Sequence, residues 1–290
     1  MRSWLAQYEM RSASSLDDAL RLLAAEPGAW TPFAGGTDLM VLLEAGRLQQ
    51  RRFLDLWRID ELRGIAAGPD EVVIGALATY TDLLRDPVIT AEFPLVADAA
   101  KVTGATAIQN RGTVGGNIAN ASPAADLPPA LLVYDASIEL VSKAGLRTVP
   151  YHAFHTAYKQ MDLAPGELIR GVTLPRAGFR SAALEGCRWK QTYRKVGTRR
   201  AQAISKLCFA ATAVVDDRIR EIRISLGSVA PTVVRARHAE NALRGRALDA
   251  HVIAEARAAL GRDIAPIDDV RSTAEYRLKV AGNLLQEFLS

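Results

Sequence analysis

The first part of the chain alternates between helix-like and strand-like spacing of its apolar residues. After Ser15, apolar side chains recur every three or four positions, so they share one face of a helix that Ser15 can cap. These apolar positions are Leu16, Ala19, Leu20 and Leu23. Residues 39–45 predict a second, shorter helix closed by Gly46, and residues 53–56 predict a strand. Residues 1–57 therefore predict a small α/β layer.

Between about residue 60 and residue 177 the pattern predicts a mixture of short strands and short helices. Asp126 stands where it can cap a helix with prolines in its first turn, and Pro175 ends the last strand. The predicted elements are strands over residues 72–75 and 167–174, helices over residues 93–103 and 126–134, and a hairpin over residues 137–149 that turns at residues 143–145. These short elements indicate a second subdomain over about residues 58–177.

The last third of the chain predicts an antiparallel sheet covered by helices. Apolar and polar residues alternate along residues 222–226, as expected of a strand with one buried face. Gly261 is expected to end one helix, and Ser272 with Glu275 has the spacing of a capping box at the start of the next. The predicted elements are strands over residues 203–215 and 219–229, and helices over residues 234–243, 249–260 and 273–289. A sheet covered by helices makes a separate α+β domain, with its boundary at the turn of residues 175–178.

Composition and charge exclude several classes of function. Of the 290 residues, 49% are apolar and 23% are charged, which is typical of a globular protein. The net charge of +4 comes from 36 Lys and Arg against 32 Asp and Glu spread along the chain, so we expect a mixed, solvated surface and no nucleic-acid partner. Cys187 and Cys208 are too few for a disulfide framework or a four-cysteine zinc or iron–sulfur site, and no metal site is predicted. Two well-separated cysteines and no secretory signal predict reduced thiols in a cytoplasmic chain. No apolar run is long enough to cross a bilayer, so no membrane insertion is expected.

A pair of glycines lies between a predicted strand and a predicted helix, in the sequence Phe-Ala-Gly-Gly-Thr-Asp-Leu of residues 33–39. Adjacent glycines allow a tight turn that exposes backbone amides, and such amides at the start of a helix suit a phosphate group. Thr37 adds a hydroxyl donor, whereas the negatively charged Asp38 is expected to cap the helix. On its own this stretch is better interpreted as an ordinary Gly-Gly turn. It lacks both the Gly-Lys-Ser/Thr of a nucleotide-binding P-loop and the spaced glycines of a Rossmann turn.

A second glycine pair, in the sequence Thr-Val-Gly-Gly-Asn of residues 113–117, strengthens the phosphate interpretation. It again follows a hydroxyl, at Thr113, and the cation Arg111 stands just before it. Two phosphate-compatible loops in one chain suit a ligand that has a pyrophosphate linker and a long body. The residues alone therefore predict a dinucleotide site without identifying the dinucleotide.

In this order, the two loops resemble those of the FAD-binding medium subunit of the xanthine dehydrogenase and carbon monoxide dehydrogenase family of molybdenum hydroxylases. The similarity covers nearly the whole chain and is carried by residues 34–39, 113–118, 121–126, 166–169 and 193–205. The resemblance implies a two-lobed FAD-binding domain of the PCMH type, like that of vanillyl-alcohol oxidase, over residues 1–177. It also implies a C-terminal domain of the carbon monoxide dehydrogenase flavoprotein type over residues 178–290. The expected fold class is therefore α+β.

The resemblance also implies which residues bind the cofactor. In that family, both loops hold the FAD pyrophosphate. Asp126 would contact the adenosine side or order its loop, and the helix cap is an equally good interpretation. Leu168 or Ile169 would pack on the flavin or the adenine, with strand core as the alternative. Lys195 would lie near the flavin, where a cation stabilises negative charge on the reduced ring; a surface lysine is the alternative. The predicted cofactor-binding residues are Phe33, Ala34, Gly35, Gly36, Thr37, Asp38, Thr113, Val114, Gly115, Gly116, Asn117, Ser122, Asp126, Leu168, Ile169 and Lys195.

The function that the resemblance implies is electron transfer. A substrate would be hydroxylated at a molybdenum cofactor on a large partner subunit, and electrons would pass through two [2Fe–2S] clusters on a small partner subunit to FAD on this chain. NAD⁺ or another acceptor such as O₂ would take them up, in an assembly expected to be a dimer of heterotrimers. Thr37 and Asp38 stand where many flavin oxidases of the broader fold carry the histidine that attaches FAD, so non-covalent binding is expected.

No residue of this chain is expected to be catalytic, since the cofactor carries the chemistry. Two alternatives stay open. One is a stand-alone flavin-dependent oxidoreductase of the same fold, and the other is a non-catalytic nucleotide-binding module.

Overall fold

A computed structural model describes residues 8–176, 186–199 and 202–290 of the chain. The N-terminal subdomain consists of β1 (Glu9–Ser12), α1 (Leu16–Ala25), β2 (Thr31–Phe33), α2 (Leu39–Glu44) and β3 (Arg52–Asp55). Its strands form a parallel sheet in the order β1-β3-β2. Ser15 caps α1 as predicted, because its Oγ accepts a hydrogen bond from Asp18 N at 3.1 Å. The apolar face of α1 packs on the sheet in one hydrophobic cluster, which confirms the predicted α/β layer.

The second subdomain is an antiparallel sheet with short helices packed on it. Its helices are the 3₁₀ turn Asp60–Leu62, α3 (Tyr80–Arg85), α4 (Pro87–Glu92), α5 (Pro94–Val102), α6 (Thr106–Gln109), α7 (Val114–Ala119), α8 (Pro128–Val133) and α9 (Tyr151–Phe154). Its strands are β4 (Ile65–Ala67), β5 (Glu71–Gly75), β6 (Ser137–Ser142), β7 (Gly145–Pro150), β8 (His155–Ala157), β9 (Gln160–Met161) and β10 (Leu168–Pro175). The sheet order is β4-β5-β10-β6-β7, and β8 pairs with β9 separately. The predicted hairpin is confirmed, since Ser142 pairs with Gly145 beside its turn.

The C-terminal domain is an antiparallel sheet with helices on one face. Its elements are β11 (Arg188–Val196), β12 (Leu207–Val215), β13 (Ile219–Gly227), β14 (Val234–Arg235), α10 (Arg237–Leu243), α11 (Ala250–Asp263) and α12 (Ala274–Leu289), with the strands in sequence order. The helix predicted over residues 234–243 begins only at Arg237, because the two residues of β14 pair with β13. The opposite face of the sheet contacts α8 of the second subdomain. Ser225 on β13 is therefore fully buried, and the prediction of one buried face is wrong at that end of the strand.

Two predicted helix ends in the C-terminal domain are also wrong. Helix α11 continues through Gly261 to Asp263. Gly261 has no positive φ, and a single glycine inside a helix costs only about 1 kcal/mol, which the neighbouring helical residues offset. Helix α12 is capped by Thr273, whose Oγ1 accepts from Tyr276 N at 3.2 Å, and not by Ser272.

Across residues 8–176, 186–199 and 202–290, no helix is long and apolar enough to span a bilayer, and no three His, Cys, Asp or Glu side chains are grouped to hold a metal ion. The boundary predicted at residues 175–178 lies partly outside the described residues and stays a prediction. The mixed α+β class and the antiparallel C-terminal sheet are confirmed.

Candidate functional site

The two glycine loops lie directly against each other. A Cβ placed on Gly35 would stand 1.6 Å from the carbonyl oxygen of Arg111, which leads into the second loop. Gly36 has a φ of +74°, and a Cβ there would lie 2.6 Å from the ring of Phe33. Position 35 therefore requires glycine because two backbones approach closely there. Position 36 requires it because of the nearby ring and because the backbone is left-handed. The structure thus brings together the two loops that the sequence singled out.

The first loop, residues 33–39, presents unpaired backbone amides. Within the described parts of the chain, the amides of residues 35–39 donate to no protein acceptor, and the first amide that does so is that of Met40, to Gly36 O at 2.9 Å. The prediction that Asp38 caps α2 is wrong, because its side chain makes no capping hydrogen bond. A row of free N–H groups in a tight turn favours an anionic ligand that has several acceptor oxygens.

The second loop, residues 113–117, uses its amides within the protein. Thr113 caps α7, with its Oγ1 accepting from Gly116 N at 3.1 Å and its carbonyl oxygen accepting from Asn117 N at 2.9 Å. The expectation that this loop exposes amides to phosphate is therefore wrong for these two residues. Gly116 itself is exposed, so this part of the loop offers a bare backbone surface with no side chain. The Oδ1 atom of Asn117 is buried without a donor in the described part of the chain.

The other two residues of the second loop bind it to the segment that follows β5. Val114 N donates to Ala78 O at 2.9 Å, and Gly115 N donates to Ala76 O at 2.8 Å. A Cβ on Gly115 would lie 2.7 Å from the Cβ of Ala76, so glycine is required here for packing. The second loop is thus a rigid support on which the first loop rests.

A chain of hydrogen bonds that the sequence did not reveal joins the first loop to the end of α7 and to the hairpin of β8 and β9. Asn120, at the end of α7, donates through Nδ2 to Asp38 Oδ1 at 3.1 Å. Lys159, in the turn between β8 and β9, donates to the Oδ1 and backbone oxygen of Asn120 at 2.5 and 2.6 Å. Burial of its ammonium lowers the pKa of Lys159, while the charge of Asp38 opposes that shift. No local motif marks this arrangement, because Lys159 and Asn120 are 39 positions apart.

Asp126 and Lys195 form a buried ion pair between the two domains. Lys195 Nζ lies 2.6 Å from Asp126 Oδ2, and the two side chains keep 9% and 10% of their exposure. The Cys208 thiol donates to Asp126 Oδ1 at 3.3 Å, and Lys195 also donates to Val102 O at 3.0 Å. Asp126 does not cap α8, whose N-cap is Leu127, and Lys195 is not a surface residue, so both alternatives are wrong. Burial raises the pKa of Asp126, and Lys195 opposes that rise.

Two tyrosines lie near the ion pair, and one of them packs just before the second loop. Tyr193 donates from its hydroxyl to Asp126 O at 2.7 Å. The buried ring of Tyr80 lies 2.7 Å from where a Cβ of Gly112 would be, just before the second loop. Burial raises the pKa of Tyr80, and the charge of Asp126 adds to the rise, which places the carboxylate within electrostatic range of that ring. Asp126 and Lys195 therefore belong to the same region as the second loop.

The remaining predicted residues lie in less open positions. Leu168 and Ile169 on β10 keep 4% and 7% exposure and belong to two different hydrophobic clusters, as the strand-core alternative requires. Ser122 accepts from Ala124 N at 3.3 Å and so stabilises a turn. Phe33 packs edge-on against Phe53, with ring centroids 6.1 Å apart. Contact of these residues with a cofactor stays a prediction.

Comparison with known proteins identifies the kind of cofactor domain to which these loops belong. Residues 6–177 match the family described as the FAD binding domain in molybdopterin dehydrogenase, and residues 191–290 match the CO dehydrogenase flavoprotein C-terminal domain. The chain is 30% identical to the xanthine dehydrogenase FAD-binding subunit of Escherichia coli O157:H7, over 96% of this chain and 93% of the relative. It is 29% identical to the carbon monoxide dehydrogenase medium chain of Hydrogenophaga pseudoflava, over 98% of this chain and 96% of the relative.

A solved structure shows the same fold. Carbon monoxide dehydrogenase from Hydrogenophaga pseudoflava, in a form lacking the Mo-pyranopterin moiety, matches with a TM-score of 0.90 at 30% identity, over 98% of this chain and 96% of that chain. The predicted fold, an FAD-binding domain followed by a C-terminal domain with an antiparallel sheet, is thereby confirmed. The chain belongs to the family of FAD-binding medium subunits of molybdenum hydroxylases, which includes those of the xanthine and carbon monoxide dehydrogenases.

Proposed function

We propose that this chain binds FAD non-covalently and relays electrons within a molybdenum hydroxylase complex. The electrons come from [2Fe–2S] clusters on a small partner subunit, and the final acceptor is NAD⁺ or another oxidant. A large partner subunit carries the molybdenum cofactor, in a cytoplasmic dimer of heterotrimers. The observation that carries this proposal is the row of free amides at residues 35–39, which suits the pyrophosphate of FAD.

The residues of the site fit that cofactor. Amides 35–39 and the hydroxyl of Thr37 supply donors to the pyrophosphate, and the exposed Gly116 lets the ligand approach the backbone. The buried Oδ1 of Asn117 is free to accept a hydrogen bond from the cofactor. We assign contacts further along the ligand to Ser122, Asp126, Leu168, Ile169 and Lys195. FAD supplies the redox chemistry that joins one-electron donors to a two-electron acceptor, and the chain supplies binding and orientation.

The domain division supports a relay role. We assign FAD binding to residues 1–177, with subdomains of about 1–57 and 58–177, and support of that site to residues 178–290. Lys195, from the C-terminal domain, pairs with Asp126, which we assign to the cofactor site, so the C-terminal domain supports that site. A stand-alone oxidoreductase would instead need its own substrate site, and family membership disfavours that alternative.

The test is to purify the chain with its neighbouring subunits and record visible spectra. We expect flavin absorption that is released by denaturation, together with iron and molybdenum in the complex. Substrate-driven bleaching of the flavin band should require both partner subunits. A colourless chain that takes up no added FAD contradicts the proposal. An active flavoprotein of this chain alone favours the stand-alone oxidoreductase.

A further inference from the structure

A carboxylate stands inside the loop that we assign to the pyrophosphate. Asp38 follows the two glycines and Thr37 directly, and its own amide is one of the free donors. It makes no ion pair within the described residues. A negative charge in this place repels an anionic ligand and weakens the site unless it is compensated.

The hydrogen-bonded chain of Asp38, Asn120 and Lys159 provides that compensation. The amide of Asn120 is fixed in orientation, because its Oδ1 accepts from Lys159 and its Nδ2 donates to Asp38. The carboxylate of Asp38 is thereby held to Asn120. The ammonium of Lys159 has no carboxylate within salt-bridge distance in the part of the chain that the structure describes. Lys159 is exposed and lies within electrostatic range of Asp38, so its charge is available to the loop.

We propose that Lys159 is a positioning residue of the FAD site, which acts through Asn120 to hold and neutralise Asp38 so that the first loop accepts the pyrophosphate. The inference rests on the proposed function and adds a residue from a distant hairpin to the site. Lys159 is not required to touch the cofactor. Its effect on FAD affinity passes through the charge of Asp38.

A double-mutant cycle on the purified complex tests this. The complex is stripped of flavin and titrated with FAD while flavin fluorescence is recorded. Lys159→Met should weaken FAD binding by about tenfold, the scale of one partly screened charge interaction. Asp38→Asn should bind FAD at least as tightly as the wild type. Because Asp38 is then neutral, adding Lys159→Met to Asp38→Asn should change the affinity by no more than about twofold.

Two further measurements separate this role from simple loss of structure. The difference between the wild type and Lys159→Met should shrink as salt is raised, because added ions screen exposed charges. The matched control is Lys143→Met, which removes another lysine from a hairpin turn, paired with Asp17 at 2.8 Å on the surface. It should leave FAD affinity unchanged.

The outcomes are distinct. Additive effects of Lys159→Met and Asp38→Asn, or a loss that is equal at low and high salt, overturn the positioning role while FAD binding itself stands. A wild-type complex that takes up no FAD overturns the proposed function, and this inference falls with it.

Discussion

At Gly35 the two loops approach each other so closely that a Cβ would lie 1.6 Å from Arg111 O. The obstacle is the backbone that leads into the second loop, and that loop is itself tied through Val114 and Gly115 to the segment that follows β5. Neither backbone segment can move away without a large cost in free energy. Glycine at position 35 thus sets how closely the first loop, which presents the free amides, can approach the second loop.

Gly35→Ala should therefore unfold more easily and lose FAD. We expect a loss of about 3 kcal/mol in the free energy of unfolding, at the upper end for overpacking of a tight site. The control is Gly261→Ala on the exposed surface of α11, where a Cβ meets no atom within 4 Å. That variant should gain about 0.5–1 kcal/mol, because alanine favours the helix. Urea unfolding of both variants checks the pair, and equal stabilities would show that the contact at Gly35 is not close.

At the scale of elements, the features that the sequence predicted correctly are signals between near neighbours, whereas contacts between distant positions were not readable from it. The cap of α1 joins Ser15 to Asp18, and the hairpin of β6 and β7 turns within a few residues, so both were readable from the sequence. The hydrogen bonds of the Val114 and Gly115 amides were not readable from the sequence, because their acceptors, Ala78 and Ala76, precede them by more than thirty positions. The pairing of Asp126 with Lys195 spans 69 positions and was equally hidden.

At the start of α12, the sequence assigned the N-cap to the wrong one of two adjacent residues. Sequence spacing favoured Ser272 as the cap, but the hydroxyl that accepts from a helix amide is that of Thr273. Thr273→Ala should cost about 1 kcal/mol of stability, as loss of an N-cap does. Ser272→Ala should cost less than about 0.5 kcal/mol, because its hydroxyl caps nothing in the described structure. Thermal unfolding of the two variants decides between the caps, and the reverse order would restore the sequence-based assignment.

On the scale of the whole molecule, the C-terminal sheet is sandwiched between its own helices and the FAD-binding domain. Helix α8 packs on β12 and β13, and Ala210 of β12 belongs to the hydrophobic cluster of the second subdomain. Asp135 pairs with Arg223 and Arg235 across this interface but is 45% exposed, whereas Asp126 and Lys195 form a pair in which both side chains are buried. Such a pair is a poor source of net stability, but removal of one partner leaves a buried charge alone. We therefore expect the pair to specify how the two domains fit together.

This argument predicts strong coupling between the two residues. Asp126→Asn and Lys195→Met should each cost about 3–5 kcal/mol in the free energy of unfolding, since each strands the other group in a buried position. The double variant should be less destabilised than the sum of the two by at least about 2 kcal/mol, because no charge is left buried. The same cycle on Asp17 and Lys143, whose side chains are 76% and 48% exposed, should give a much smaller coupling, because water screens an exposed pair. Chemical unfolding of the flavin-free protein measures both cycles. Additive losses at Asp126 and Lys195 would mean that the two groups act separately and that the pair does not help to fit the two domains together.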